Sequence, residues 1–121
     1  MNLPPVSLCL VLLLSACEPM AEDKQPTYAG DPERGHELTH RYGCGSCHRI
    51  PGVPGARGKV GPSLEKMARR GYIAGLLPND EAHMMRWLQS PQAVDPRSAM
   101  PDVGLTADEA RDIAAYLHRL E

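Results

Sequence analysis

Residues 44–48 read Cys-Gly-Ser-Cys-His, and no other stretch restricts so tightly what this 121-residue chain can fold into. On one helical turn, positions i, i+3 and i+4 project from a single side, so both sulfurs and the imidazole address the same object. Cys-x-x-Cys-His is the attachment pattern of c-type haem: the two thiols add to the vinyl groups and the imidazole takes one axial position on the iron. Cys44, Cys47 and His48 are therefore the expected haem-holding residues. Two other uses of a cysteine pair fit less well. A thioredoxin-like site sits in a βαβ setting, and no such alternation is visible. A zinc site needs two further ligands; His36 and His40 stand at helix-like spacing, but no second cysteine pair or further histidine pair follows.

Haem accounts for two of the four cysteines. Val6–Leu14 is an apolar run too short to cross a bilayer and of the length of a signal-peptide core, although Met1–Pro5 before it holds no Lys or Arg. Leu14-Ser15-Ala16-Cys17 follows and resembles the bacterial lipobox. Residues 1–16 are thus expected to be a signal peptide, with Cys17 lipidated after cleavage; the alternative is an ordinary cleaved signal with Cys17 as a passenger. Cys9 falls in the discarded peptide, and no cysteine remains for a disulfide. Residues 18–30 are polar, with two prolines and no apolar period, which reads as a tether. Fully extended, it spans about 45 Å. The expected organisation is signal peptide 1–16, lipidated Cys and flexible tether 17–30, and one folded domain 31–121.

A domain of that size is marginal on its own side chains. The whole chain has no Phe, four Tyr and one Trp, a shortage that makes sense if a porphyrin forms the centre of the core. Without haem the polypeptide is expected to be largely unfolded. Asp31-Pro32-Glu33 marks a helix start, and Gly35, Leu38 and Tyr42 then share a narrow inward face. Thr106 with Glu109 reads as a capping box, followed by an apolar stripe at Ala110, Ile113, Ala114 and Leu117. These two terminal helices should pack on each other, with Gly35 allowing close approach. Ile50–Pro62 holds four Gly and three Pro and reads as loop. Asn79-Asp80-Glu81 opens a further helix that Pro91 ends, with Met84, Trp87 and Leu88 on one face. No β pattern and no repeat is visible, so the expected class is all-α.

The order Cys44-x-x-Cys47-His48, Gly61-Pro62-Ser63-Leu64, Trp87-Leu88-Gln89-Ser90-Pro91 and Met100-Pro101 resembles the class I cytochromes c across nearly all of residues 31–121. The stretch from Leu77-Pro78-Asn79 through Pro91-Gln92 to Met100-Pro101 is similar to cytochrome c domains fused to haem–copper oxidase subunits. The resemblance implies a cytochrome c fold, with N- and C-terminal helices packed around one covalently bound haem c per chain. It implies Met100 as the second axial ligand, because Pro96–Pro101 resembles the distal loop of that family. Met67, Met84, Met85, His83 and His118 are the competitors. By the same resemblance Pro62 offers its carbonyl to His48, Leu64 packs on the haem face, Trp87 packs near the Met side and Ser98 bonds a propionate. Arg69, Arg70 and Tyr72 are either propionate partners or solvated surface. His36 and His40 read as exposed.

Residues 48–97 carry eight Lys or Arg against four acids, in a chain of net charge −2. That excess reads either as a basic ring around the haem edge that steers a partner or as scattered solvating charge. The mild overall balance argues against a nucleic-acid partner. The functional expectation is a one-electron carrier rather than an enzyme, a monomer on the periplasmic side of a bacterial membrane. It would be lipid-anchored and carry electrons from a quinol-oxidising complex to a terminal oxidase. Two rivals remain: a haem sensor or peroxidase-like protein from which Met100 departs, and a permanent oxidase subunit.

Overall fold

The computed structural model describes residues 27–121. Four helices carry the fold: α1 (Pro32–Arg41), α2 (Glu81–Gln89), α3 (Pro91–Val94) and α4 (Ala107–Leu117). α1 begins where Asp31 accepts the N–H groups of Glu33 and Arg34, with Pro32 already in the first turn. α4 begins with a full capping box: Thr106 accepts from the Glu109 N–H, and the Glu109 carboxylate accepts from the Thr106 N–H. α2 is capped by Asp80, which accepts the N–H of His83. Pro91 does more than end α2. It is buried and occupies the first turn of α3.

α1 and α4 lie against each other, and α2 also packs on α4. Ala110, Ile113, Ala114 and Leu117 are all buried, as their spacing indicated. Gly35 sets the helix separation: a Cβ there would stand 2.0 Å from the Asp112 carbonyl oxygen. The neighbouring turn is closed by Thr39, whose buried hydroxyl donates to the Gly35 carbonyl at 2.8 Å. At the far end of the contact the Tyr42 hydroxyl donates to Glu109 at 2.9 Å, tying the end of α1 to the start of α4.

Three features depart from the sequence expectation. A small antiparallel ribbon, β1 (Tyr72–Ile73) with β2 (Leu77–Pro78), stands where no β pattern was visible. Its strands are too short to show an alternation, and Ala74 takes a positive φ of 52° beside Gly75 where Asn or Asp would have signalled the turn. His36 is half-buried rather than exposed: its Nε2 lies 2.8 Å from the Gly52 carbonyl and its ring meets Tyr116 edge-on. Thr27–Gly30, placed in the tether by composition, lie against the domain. Tyr28 stacks on His118 with ring centroids 4.1 Å apart, and the Ala29 N–H donates to Glu81 at 2.5 Å. Asp31 donates its N–H to Asp112 at 2.8 Å, and Arg34 Nε lies 2.7 Å from the other oxygen of that buried carboxylate, a charge contact without hydrogen-bond alignment. The signal peptide and Cys17 lie outside the described residues.

Burial holds the His118 imidazole below its ordinary value of 6.5, so it sits neutral in the fold. The unfolded chain then takes up the proton first, and stability should fall as pH drops below about 6.5, until folded His118 itself protonates. The capping carboxylates of Asp31, Asp80 and Glu109 are held below their usual range mainly by the backbone N–H groups they accept, so their contribution is lost further down, as each protonates. Denaturation midpoints measured across this range should decline in both stages; His118→Phe, which keeps the stack on Tyr28, should flatten only the upper one. At the helix crossing, Gly35→Ala should destabilise the domain by about 1–3 kcal/mol through overpacking, read as a lowered denaturation midpoint.

Candidate haem site

Gly43, at φ +71°, breaks the chain away from α1 and donates its N–H to the His40 carbonyl at 3.1 Å. A single tight turn over Cys44–Ser46 follows, closed by hydrogen bonds from the N–H groups of Cys47 and His48 to the Cys44 carbonyl at 3.2 and 3.0 Å. Cys44, Cys47 and His48 are therefore presented by a separate turn, not by a continuation of the helix. Both thiols are free. Burial pushes the Cys44 thiol above its ordinary range, with a smaller contribution from Cys47, so the unmodified Cys44 side chain is a neutral thiol at pH 7.

The Gly- and Pro-rich loop that follows grips this turn from outside. Gly58 donates to the Gly45 carbonyl at 3.0 Å and Gly61 to the Cys47 carbonyl at 2.7 Å. Both contacts need glycine. A Cβ on Gly58 would fall 2.4 Å from the Cys47 carbonyl carbon, and one on Gly61 would fall 2.4 Å from His48 Cε1. His48 Nδ1 lies 2.7 Å from the Pro62 carbonyl, which can only accept, so Nδ1 carries the hydrogen and the Nε2 lone pair is left for a ligand.

Two adjoining apolar cavities, of ≈ 270 and ≈ 110 Å³, open onto these residues. Cys44, His48, Leu88, Ala99, Met100 and Ile113 border both, while Cys47 borders the smaller. Leu64, Trp87 and Ser98 border the larger. Among the described methionines, Met67 and Met84 reach only the larger cavity and Met85 reaches neither; Met100 alone borders both. Of the histidine competitors, His83 Nδ1 is 2.7 Å from Asp80 and His118 is stacked on Tyr28; neither borders either cavity.

The segment carrying Met100 is shaped by a residue to which sequence reasoning assigned no role. Gln92, on α3, donates through Nε2 to the carbonyls of Met100 at 2.6 Å and Ser98 at 3.2 Å. Ser98 Oγ accepts the Met100 N–H at 3.2 Å, leaving its own hydrogen to donate. Gln92 appeared in the sequence only as part of a motif, and nothing local marks a side chain that acts on residues six to eight positions away. Arg70 borders the larger cavity with its guanidinium on the carbonyls of Ser63 and Glu65, the second at 3.2 Å. Arg69 points elsewhere, 4.0 Å from Glu121. Tyr72 borders the larger cavity yet is 65% exposed. Asn79 pins the base of this wall, donating to the carbonyls of Met67 and Arg70 at 2.9 and 2.8 Å.

The residues present fit a haem. Two thiols and an imidazole share one turn, a thioether borders the same space, and the remaining walls are mostly apolar. The family profile for cytochrome c matches residues 32–121. The chain belongs to the cytochrome c family. Cytochrome c2 of Rhodoblastus acidophilus is 35% identical over 106 residues, covering 77% of this chain and 95% of that protein. Cytochrome c-552 of Bradyrhizobium diazoefficiens is 29% identical over 120 residues, covering 99% of this chain and 98% of that one. Cytochrome c oxidase subunit 2 of Alkalihalophilus pseudofirmus is 26% identical over 102 residues, covering 84% of this chain but only 29% of the subunit. Among solved structures, cytochrome cH from Methylobacterium extorquens superposes with a TM-score of 0.53 at 25% identity, covering 73% of this chain and 97% of its own. The protein is a class I monohaem cytochrome with one covalently bound haem c, and it is an electron-transfer protein. No described helix is long and apolar enough to cross a membrane.

Gly61→Ala should force the His48 ring or the loop to move, at a cost of about 1–3 kcal/mol. A lowered denaturation midpoint of the haem-loaded protein, together with a shifted reduction potential, is the expected result; an unchanged potential would show that the ring absorbs the methyl group without turning.

Proposed function

We propose that His48 and Met100 are the two axial ligands and that the chain carries electrons at a bacterial membrane, from a quinol-oxidising complex to a terminal oxidase. The single observation behind the ligand pair is that both side chains border both cavities, whereas Met67 and Met84 border only the larger and Met85, His83 and His118 border neither. When bound, the haem supplies one-electron exchange at its iron, and a thioether opposite an imidazole raises the reduction potential relative to two imidazoles.

The chain's own residues then have definite tasks. Cys44 and Cys47 hold the porphyrin covalently. Pro62 orients the His48 ring and increases its donor strength through Nδ1. Gln92 and Ser98 hold the Met100 segment in one shape, so the protein need not rearrange when charge arrives or leaves. Leu64, Trp87, Leu88 and Ile113 keep water from the cavity. The free hydroxyl hydrogen of Ser98 and the Arg70 guanidinium are suited to the propionates. No bond in a substrate is made or broken.

The exit face is the mouth of the smaller cavity, bordered by Val60 and Val103, which are 79% and 38% exposed. Arg57 and Lys59 lie on the loop beside Val60 and make no salt bridge within the described residues, whereas Arg49 and Arg97 pair with Glu65 and Asp95. The basic steering surface is thus narrower than the charge count of residues 48–97 suggested. Residues 1–16 as a signal peptide and lipidation at Cys17 would place the domain, as a monomer, on the periplasmic side of the membrane. The similarity to oxidase subunit 2 supports the acceptor, and it equally favours a second reading in which the chain stays bound to an oxidase as a subunit. Co-purification of a Cys17→Ser form with oxidase would select that reading; its release as a free carrier would select the first.

Met100→Ala should abolish the weak far-red absorption band of a sulfur–iron(III) bond and let the reduced protein bind carbon monoxide at neutral pH. Persistence of the band would show that another residue is the ligand and that the sensor-like alternative needs a different trigger.

A further inference from the structure

Four large hydrophobic side chains stand out from the described surface, and they fall into two pairs. Val60 and Val103 border the smaller cavity. Tyr72 and Leu76, 65% and 53% exposed, belong to the β1–β2 hairpin, and neither borders the smaller cavity. The face used for electron exit leaves this second pair unexplained.

The hairpin is built to project. Ile73 points inward and is 2% exposed, the Asn79 side chain fixes the base to the carbonyls of Met67 and Arg70, and the positive φ values of Ala74 and Gly75 turn the tip sharply. Lys66, Arg69 and Arg70 precede it directly. Lys66 is exposed with no salt bridge among the described residues, Arg70 is bound by carbonyls rather than by a carboxylate, and Arg69 meets Glu121 only at 4.0 Å. The nearby acids are engaged elsewhere: Asp80 with His83, and Glu81 with the Ala29 N–H and Arg111.

The chain enters the fold at this same end. Tyr28 lies close enough to Asp80 and Glu81 for their charges to help raise its hydroxyl to about 12, after burial, and those two acids follow β2 by one and two residues beyond Asn79. The described chain therefore begins beside the hairpin, and the nine residues between Cys17 and Thr27 span at most about 35 Å.

We propose that the β1–β2 hairpin is the surface on which the domain rests against an anionic phospholipid bilayer. Tyr72 sits at headgroup depth, Leu76 enters the acyl boundary, and Lys66 and Arg69 meet phosphate groups. One aromatic and one aliphatic side chain bind a bilayer weakly. The contact acts as the second signal beside a single anchor, where tethering raises the local concentration. It leaves the Val60–Val103 face turned to other proteins. The proposal rests on the anchored reading of Cys17 only for its setting in the cell.

The test couples the haem-loaded chain from Cys17 onward, through that thiol, to a maleimide lipid in vesicles of phosphatidylglycerol and phosphatidylethanolamine. Amide hydrogen exchange is then compared with the uncoupled protein and with protein coupled to phosphatidylcholine vesicles. Exchange in residues 71–77 should slow several-fold on the anionic vesicles only. Leu76→Ser, at a residue that borders neither cavity, should remove that slowing while the visible spectrum stays unchanged. Equal exchange in all three samples, as for a hairpin that docks a protein instead, overturns the proposal, as does equal slowing on both vesicle types. The mass of the chain extracted from its native membrane reports separately whether Cys17 is acylated, so a failed anchor and a failed seat are told apart.

Discussion

The structure depends on an apolar cavity kept inside a small domain, with the Cys44–His48 turn and Met100 among its walls. With no Phe and a single Trp in the chain, the helices leave a largely apolar chamber beside their packed core. The close contact of α1 with α4 through Gly35 is the firm edge of that chamber. Ile113 and Leu117, on the same helix as the contact, supply its floor.

Two loops complete the enclosure, and they work by different means. The proximal loop is held by backbone: Gly58 and Gly61 bring it so near the attachment turn that neither has room for a side chain, and Pro62 ends it with the carbonyl that orients His48. The distal loop is held by a side chain, since Gln92 reaches across from α3 to bind the carbonyls on either side of Ala99. A proximal side fixed by backbone and a distal side fixed by one amide suit a group that exchanges electrons without rearrangement. The exposed apolar residues divide accordingly, with one pair at the chamber mouth and another on the hairpin near the point where the chain enters.

Much of this was legible in the residues. The attachment turn, both terminal helices, the capping box and the buried stripe of α4 follow from spacing rules, because each is a local pattern on one element. What stayed hidden involves residues far apart in the chain. The Gln92 contacts, the seat of Tyr28 on His118 and the reach of His36 to Gly52 depend on tertiary placement that no window of sequence contains. The hairpin was missed for a different reason: two residues per strand give no alternation, and Ala74 occupies a turn position where glycine or asparagine would have been the signal. Thr27–Gly30 look like linker by composition, yet Gly30 lies so close to the Arg111 carbonyl that a Cβ would stand 2.3 Å from its oxygen.

The most direct test is the intact mass of the chain, produced in a bacterium with working haem-attachment machinery and stripped in denaturing acid solvent. A mass increase of one haem per polypeptide that survives this treatment, and that vanishes when Cys44 and Cys47 are both replaced by alanine, is the expected result. A chain of bare polypeptide mass, or one that releases its colour into the solvent, would contradict the covalent centre on which the whole arrangement rests.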